Sequence, residues 1–364
     1  MNNETMNNEL VSIIITNYNY ERYLAASIAS ALAVDWSRTE IIVVDDGSTD
    51  RSRDIVDSFV PMGIKSLYIE NQGQARAAAR GFTESRGEWI VFLDADDILE
   101  PSIIREAVKV MRPGWSMIQF RMRVIDGLGN PAGRFFPTYR GDTTPEKIRS
   151  WAAVAASYPA APTSGNVLAR SFLDRIFPLE DGMDSAIDTY FTPTAPFLGD
   201  VLTVDNPLVN YRVHANNSSA QSTLDVTKIA HDLRRHIAGS RYSARIASAN
   251  GIEIAPNRWR YAFYNMGMRL ASLRLAPAQH PIQNDTRTDC VRDAFRSVTK
   301  WQGLSPLRHA SMLIWLLSVA LAPVSVARML VAWRYTLKSR PQAVQRLIDA
   351  TKPKANDQWK SNFQ

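Results

Sequence analysis

A single cysteine, Cys290, among 364 residues excludes an intrachain disulfide and a cysteine-ligated zinc centre, and it suits a reducing compartment. Residues 1–9 lack the basic and apolar segments of a leader. They are polar and Asn-rich, so a flexible N-terminus and no signal peptide are expected. Residues 310–327 form an apolar run of eighteen residues without a charge, at the short end for a ~30 Å span and interrupted by Pro323. No Gly-x-Gly-x-x-Gly follows the first strand-like segment, and no Gly-x-x-x-x-Gly-Lys-Ser/Thr occurs anywhere, which counts against dinucleotide oxidoreductases and P-loop NTPases. Negative charge is scarce in the last third. Residues 223–364 hold 22 Lys and Arg against 8 Asp and Glu, whereas the remainder holds 20 against 28. An acidic half joined to a basic tail is not the footprint of a nucleic-acid enzyme; it suits a tail lying on anionic lipid. The rest of the composition, 45% hydrophobic and 21% charged, is that of a folded protein with room for two domains.

The most informative stretch is Trp89-Ile90-Val91-Phe92-Leu93-Asp94-Ala95-Asp96-Asp97. Its apolar run reads as a strand buried on both faces of a parallel sheet. Carboxylates that follow such a strand emerge where open α/β sheets bind ligands. Three crowded acids repel one another, so a hard divalent cation bridging to a phosphate is the economical partner; a solvated acidic loop is the alternative. Residues 11–16 predict an earlier strand, and residues 21–32 a helix. Residues 40–44 predict a second strand ending in Asp45-Asp46-Gly47-Ser48-Thr49-Asp50, with Gly47 for the tight turn and Ser48 or Thr49 as the N-cap of a helix reaching residue 59. A third strand at 65–70 and an Ala-rich helix at 73–86 complete an alternation that predicts a mostly parallel α/β sheet, with two acid-tipped strands opening on one edge.

Val11-Ser-Ile-Ile-Ile-Thr-Asn-Tyr-Asn19, Val44-Asp-Asp-Gly-Ser-Thr-Asp50 and Phe92-Leu-Asp-Ala-Asp-Asp97, in that order and spacing, resemble the family 2 glycosyltransferases of GT-A fold. The resemblance implies transfer of a sugar from a nucleotide diphosphate donor, UDP above dTDP or GDP, with Mn²⁺ or Mg²⁺ held at an Asp-x-Asp motif. It implies that Thr16 and Tyr18 border the base, that Asp46 accepts from the base N3–H, that Asp94 sits by the ribose and that Asp96 ligates the metal. Family members often carry Ala-Arg-Asn where this chain has Ala77-Ala78-Ala79, so the usual arginine is missing. Arg76 and Arg80 are each two positions away, and since neighbouring helical positions already point about 100° apart, neither faces the same way.

Further along, residues 115–124 predict a strand, and Asp126-Gly127-Leu128-Gly129-Asn130 the turn of a β-hairpin. Ser164 and Gly165 fall where the family lines its acceptor pocket, and a helix is expected at 171–177. In the segment 181–191, Asp188 falls where the family carries the general base of an inverting transfer, chosen here over Asp184. Residues 201–204 and 208–214 predict the last two strands. Tyr211-Arg212-Val213-His214 then resembles the end of the family's catalytic domain, with His214 a third metal ligand and Arg212 either a diphosphate contact or a packing residue.

The expected organisation is a GT-A domain over 10–221, divided into a nucleotide half (10–100) and an acceptor half (101–221). A helical basic region follows over 222–364, whose helix 310–333 lies against the inner face of the plasma membrane, spans it, or packs in a core. The expected function is metal-dependent inverting transfer to a hydroxyl of a saccharide or glycolipid acceptor. The alternatives are a sugar nucleotidyltransferase, for which the Gly-rich basic loop is missing, and a non-catalytic nucleotide-sugar-binding protein. A processive synthase would carry several spans and a Gln-x-x-Arg-Trp motif, neither of which is present.

Overall fold

The computed structural model describes residues 9–138, 143–179, 186–214, 223–298, 300 and 306–336, with isolated positions at 339, 341, 342 and 346. The expected flexible N-terminus over 1–8, Asp184 and the domain boundary at 221/222 lie outside the described residues.

Residues 11–17 show no polar alternation because the strand they form, β1 (Val11–Asn17), is buried throughout. The helix α1 (Glu21–Leu32), strand β2 (Thr39–Asp46), helix α2 (Ser52–Phe59), strand β3 (Lys65–Ile69), helix α3 (Gln74–Glu84) and strand β4 (Trp89–Asp94) follow in strict alternation. The strands β1 to β4 are parallel, with β1 between β2 and β4. The register sets Thr16 beside Asp94 and Asn17 beside Asp45, so the acid-tipped strands open on one edge.

The second half adds β5 (Ile98–Leu99), α4 (Ile103–Val110), β6 (Trp115–Asp126), β7 (Pro131–Phe136), α5 (Pro145–Ala155), β8 (Asn166–Ala169), α6 (Arg170–Leu173), α7 (Asp188–Phe191), α8 (Ala195–Leu198) and β9 (Asp200–Val213). The sheet runs β3-β2-β1-β4-β8-β6-β9-β5, with β7 on β6 as the predicted hairpin. Mixed pairing enters at β8, which is antiparallel to both β4 and β6.

Several expectations need correction. Residues 200–213 form one strand, not two, whose parallel pairing with β6 absorbs irregularities beside Pro207. Ser48 and Thr49 do not cap α2, which starts at Ser52. The Ser48 hydroxyl is instead spent on accepting from Asn17 Nδ2 (3.0 Å) and from the Asn19 N–H (2.9 Å). The helix expected at 171–177 stops at Leu173.

A second apolar core gathers Leu233, Leu270, Ala294, Leu316 and Val331 from the last five helices. These are α9 (Val226–Ala249), α10 (Phe263–Leu275), α11 (Arg287–Val298), α12 (Pro306–Leu321) and α13 (Val324–Tyr335). Asp225 caps α9, its carboxylate accepting from the N–H groups of Thr227 (2.9 Å) and Lys228 (3.1 Å). Some of the tail's basic residues serve the interior. Arg269 is buried between Asp285 and Asp293, and Arg258 donates to the carbonyls of Ala152 (2.9 Å) and Ser240 (3.1 Å). The single helix expected over 310–333 is two, α12 and α13, broken at Pro323, which has no N–H to continue the first. Among the described residues no helix is long and apolar enough to cross a membrane.

Helix α9 leans on α7 at a glycine. A Cβ at Gly239 would meet the Thr189 carbonyl oxygen at 2.3 Å. Gly239→Ala is therefore expected to destabilise the fold by about 1–3 kcal/mol through overpacking. An unchanged melting temperature in Gly239→Ala would contradict this contact.

Candidate active site

Sheet edge and helical region enclose one cleft of about 900 Å³. At one end it is bordered by Thr16, Tyr18, Asp46, Asp94 and Asp96, and Asp188 faces in from α7. Tyr18 is 45% exposed, presenting its ring to the opening.

Each strand tip is held by the turn that follows it. Gly47 has φ of +76°, and a Cβ there would meet the Asn71 nitrogen at 2.8 Å. That turn lets Asp45, fully buried, accept from Asn17 Nδ2 (2.8 Å) and the Ser48 N–H (3.0 Å). Asp46 accepts from the N–H groups of Gln72 and Gly73, each at 2.8 Å, so its carboxylate organises the 72–73 turn while lining the cleft. Each of its oxygens retains a second lone pair for a ligand.

Asp94, Asp96 and Asp97 form the acidic knot. Burial pushes the carboxyls of Asp94 and Asp97 well above the ordinary range, and their neighbouring acids push further; for Asp94 these include Asp188. Burial also raises Asp96, against the opposing pull of His214 and Arg212. The Gln74 amide donates to Asp94, and the Asp94 N–H donates to Ser164 Oγ at 3.1 Å. The ring of Tyr20 borders the cleft beside these acids; burial and their negative charge raise its phenol.

The last predicted motif divides its labour. His214 Nε2 lies 3.0 Å from Asp96 Oδ2, with its ring against Tyr23 of α1 (centroids 4.6 Å apart). Arg212 does not border the cleft: its Nε donates to the Asp96 carbonyl (2.8 Å), its N–H to Asp97 Oδ1 (2.9 Å), and its guanidinium covers Tyr23. Of the two readings given for Arg212, these bonds favour the packing one, because they tie the acidic turn to β9. Ser164 and Gly165 are likewise buried behind the wall rather than on it. A Cβ at Gly165 would meet Ala161 Cβ at 2.6 Å and Met122 Sδ at 2.9 Å, so packing demands this glycine.

The donor set fits a hard cation bound with a nucleotide. A carboxylate oxygen and an imidazole nitrogen converge beside buried acids that lack enough positive charge. Among the described residues no group of three or more His, Cys, Asp or Glu side chains forms a closed metal cage. A single carboxylate completed by phosphate oxygens and water is how Mg²⁺ commonly sits in phosphate-transfer sites, and an imidazole beside it suits Mn²⁺ better.

Asp188 opens the short helix α7 and faces the cleft. Burial raises its carboxyl, while Arg235 and His236 pull it down. Those two residues, with Asp232, Tyr264, Asn265 and Arg334, come from the helical region and were missed by sequence reasoning. No spacing signalled them, because they reach the cleft through helix packing and carry no motif. The missing family arginine is not restored by Arg76 or Arg80. Both line a separate groove beside Phe82 and Arg170, and Arg80 pairs with Glu84 at 2.8 Å.

A curved, mostly parallel sheet flanked by helices, with acid-tipped strands facing the cleft, defines the class as a glycosyltransferase of GT-A fold. The crystal structure of Staphylococcus aureus TarS residues 1–349 in complex with UDP-GlcNAc has a TM-score of 0.52 to it. It is 15% identical, over 89% of this chain and 91% of that one. In sequence, the model of the Glycosyl transferase family 2 matches residues 12–153. An uncharacterised glycosyltransferase of Nostoc sp. is 36% identical over 225 residues, 58% of this chain and 68% of that protein. The poly(ribitol-phosphate) beta-N-acetylglucosaminyltransferase TarS of S. aureus is 27% identical over 133 residues, 35% of this chain and 23% of its own length. The chain belongs to glycosyltransferase family 2.

Proposed function

We propose that the protein transfers a sugar from a UDP-sugar to a hydroxyl of a saccharide or lipid-linked acceptor, with inversion and with a divalent cation. The observation that carries this reading is one cleft lined by the strand-end acids Asp94 and Asp96 together with Asp188, which lies near enough to Asp94 to raise its carboxyl. Thr16, Tyr18 and Asp46 would hold the base, Asp94 the ribose side, and Asp96 with His214 the cation, which when bound neutralises the diphosphate. The transferase unit would be residues 10–221, with 222–364 as an appended helical region. Likeness to the UDP-GlcNAc complex of TarS supports UDP as the nucleotide.

In the transfer, Asp188 accepts the proton of the acceptor hydroxyl as its oxygen attacks the sugar's anomeric carbon; the bond to the diphosphate oxygen breaks and the nucleoside diphosphate leaves. Tyr18 and the 72–73 turn orient the donor, and the enclosing helical region limits water as a competing acceptor. Calorimetry with UDP-, GDP- and dTDP-sugars, with and without Mn²⁺, tests the reading. UDP-sugars are expected to bind most tightly and only with the cation. Failure of every nucleotide sugar to bind in Mn²⁺ would overturn it.

A second proposal concerns the tail. Leu307, Ile314, Leu321, Val324 and Met329 are exposed on α12 and α13, with Leu321 82% exposed, and Arg328 is exposed among them. Apolar anchors with basic company suit a peripheral site on anionic lipid at the cytoplasmic face. Sedimentation with phosphatidylserine vesicles should carry the protein down, and Ile314→Asp with Leu321→Asp should release it. Equal binding to neutral vesicles, or no effect of the double substitution, would refute the anionic-surface proposal.

A further inference from the structure

The helical region contributes one histidine to the cleft whose tautomer the fold dictates. Asn265 is nearly buried, and its Nδ2 donates to the Trp259 carbonyl at 3.0 Å. A carbonyl only accepts, so the amide cannot be reversed and its Oδ1 must face the other way. That oxygen lies 2.7 Å from His236 Nδ1 and can only accept from it. The His236 proton therefore sits on Nδ1. Its Nε2 is a bare lone pair with no partner among the described residues, on a ring that is open to the cleft. Desolvation within the cleft, with the Arg235 charge, holds its pKa below the ordinary value.

A neutral acceptor atom fixed from the opposite side has one evident use in a cleft, to receive a hydroxyl. His236 and Asp188 line the same cleft, so one acceptor molecule can present a hydroxyl to each. Tyr264, 51% exposed and also on the cleft, offers an aromatic face to a sugar's C–H surface.

We propose that His236 Nε2, oriented by Asn265, accepts a hydrogen bond from a second hydroxyl of a saccharide acceptor, so that α9 and α10 select the acceptor. The inference rests on the transferase reading above, and the arms of the test separate the two. The acceptor probes are aryl β-glycosides of glucose, galactose and N-acetylglucosamine, with UDP release measured against the rate in water alone. His236→Phe keeps the ring and removes the lone pair. It should raise the glycoside KM about 10-fold, while donor affinity measured by calorimetry stays within about twofold. His236→Gln, which returns an oxygen near the Nε2 position, should recover most of the loss. Asn265→Leu should raise the same KM by a smaller factor.

Nitrogen-15 spectra of the wild-type protein give a readout that needs no variant. His236 should show a protonated Nδ1 and an unprotonated Nε2, with the Nε2 signal moving when glycoside is added. An unchanged KM in His236→Phe, or a proton found on Nε2, overturns the proposal. So does a wild-type enzyme that binds and hydrolyses its donor but is stimulated by none of the glycosides, an outcome that leaves the transferase reading standing. A wild-type enzyme that binds no donor removes that reading and this inference with it.

Discussion

Asp188→Asn is expected to lower kcat by about 10²–10⁴-fold with donor affinity unchanged, the range for loss of a positioned general base. The substitution keeps the shape of the side chain at the start of α7 and removes its capacity to take a proton. The pH profile supplies the sign. Burial raises the Asp188 carboxyl above the ordinary range, so the ionised, active form is gained as pH rises through that elevated value. Wild-type kcat should therefore fall on the acid side at a pH above that of an exposed aspartate. In Asp188→Asn that limb should vanish along with the activity. Retention of wild-type turnover in Asp188→Asn would remove it as the base, and would turn attention to Asp184.

Asp96→Ala is expected to weaken cation-dependent donor binding by about 100-fold or more, since even outer-shell partners of metal ligands cost 10–100-fold. Its effect on stability should run the other way. Three carboxyls crowd this strand end, and burial and mutual repulsion raise Asp94 and Asp97. Removing one acid relieves the others, so without added metal the variant should melt at the wild-type temperature or higher. With Mn²⁺ and donor, the wild type should gain a rise in melting temperature that the variant lacks. Full cation-dependent turnover in Asp96→Ala would sink the ligand assignment; a variant that simply unfolds would contradict the electrostatic account of the knot.

The three motifs at 11–19, 44–50 and 92–97 were legible because each is local. A short β-branched apolar run bounded by turn residues reads as a buried strand, and an acid after it emerges at the strand's end. Gly47 illustrates the same point: the turn needs positive φ, and the residue that adopts it freely is written there. Local reading failed where a side chain had two plausible partners. Ser48 reads as a helix cap but is taken by Asn17 and Asn19 across the turn. Arg212 reads as either a phosphate contact or a packing residue, and its Nε is taken by the Asp96 carbonyl of the turn that it supports.

The sequence by itself therefore determined the parallel sheet and its acid-tipped edge, consequences of hydrophobic period and strand direction, and the family through the resemblance that its three motifs carry. Tertiary structure alone decided who stands across the cleft. Arg235, His236, Tyr264 and Asn265 lie in helices without motif, and reach the site because Gly239 lets α9 close on α7. A bond such as that between His236 and Asn265 joins residues 29 apart on two helices, and no spacing rule encodes it. The breaking of 310–333 into two helices lies between these cases. Pro323 announced the break, but only packing into the second core set which faces of α12 and α13 were buried and which were left exposed.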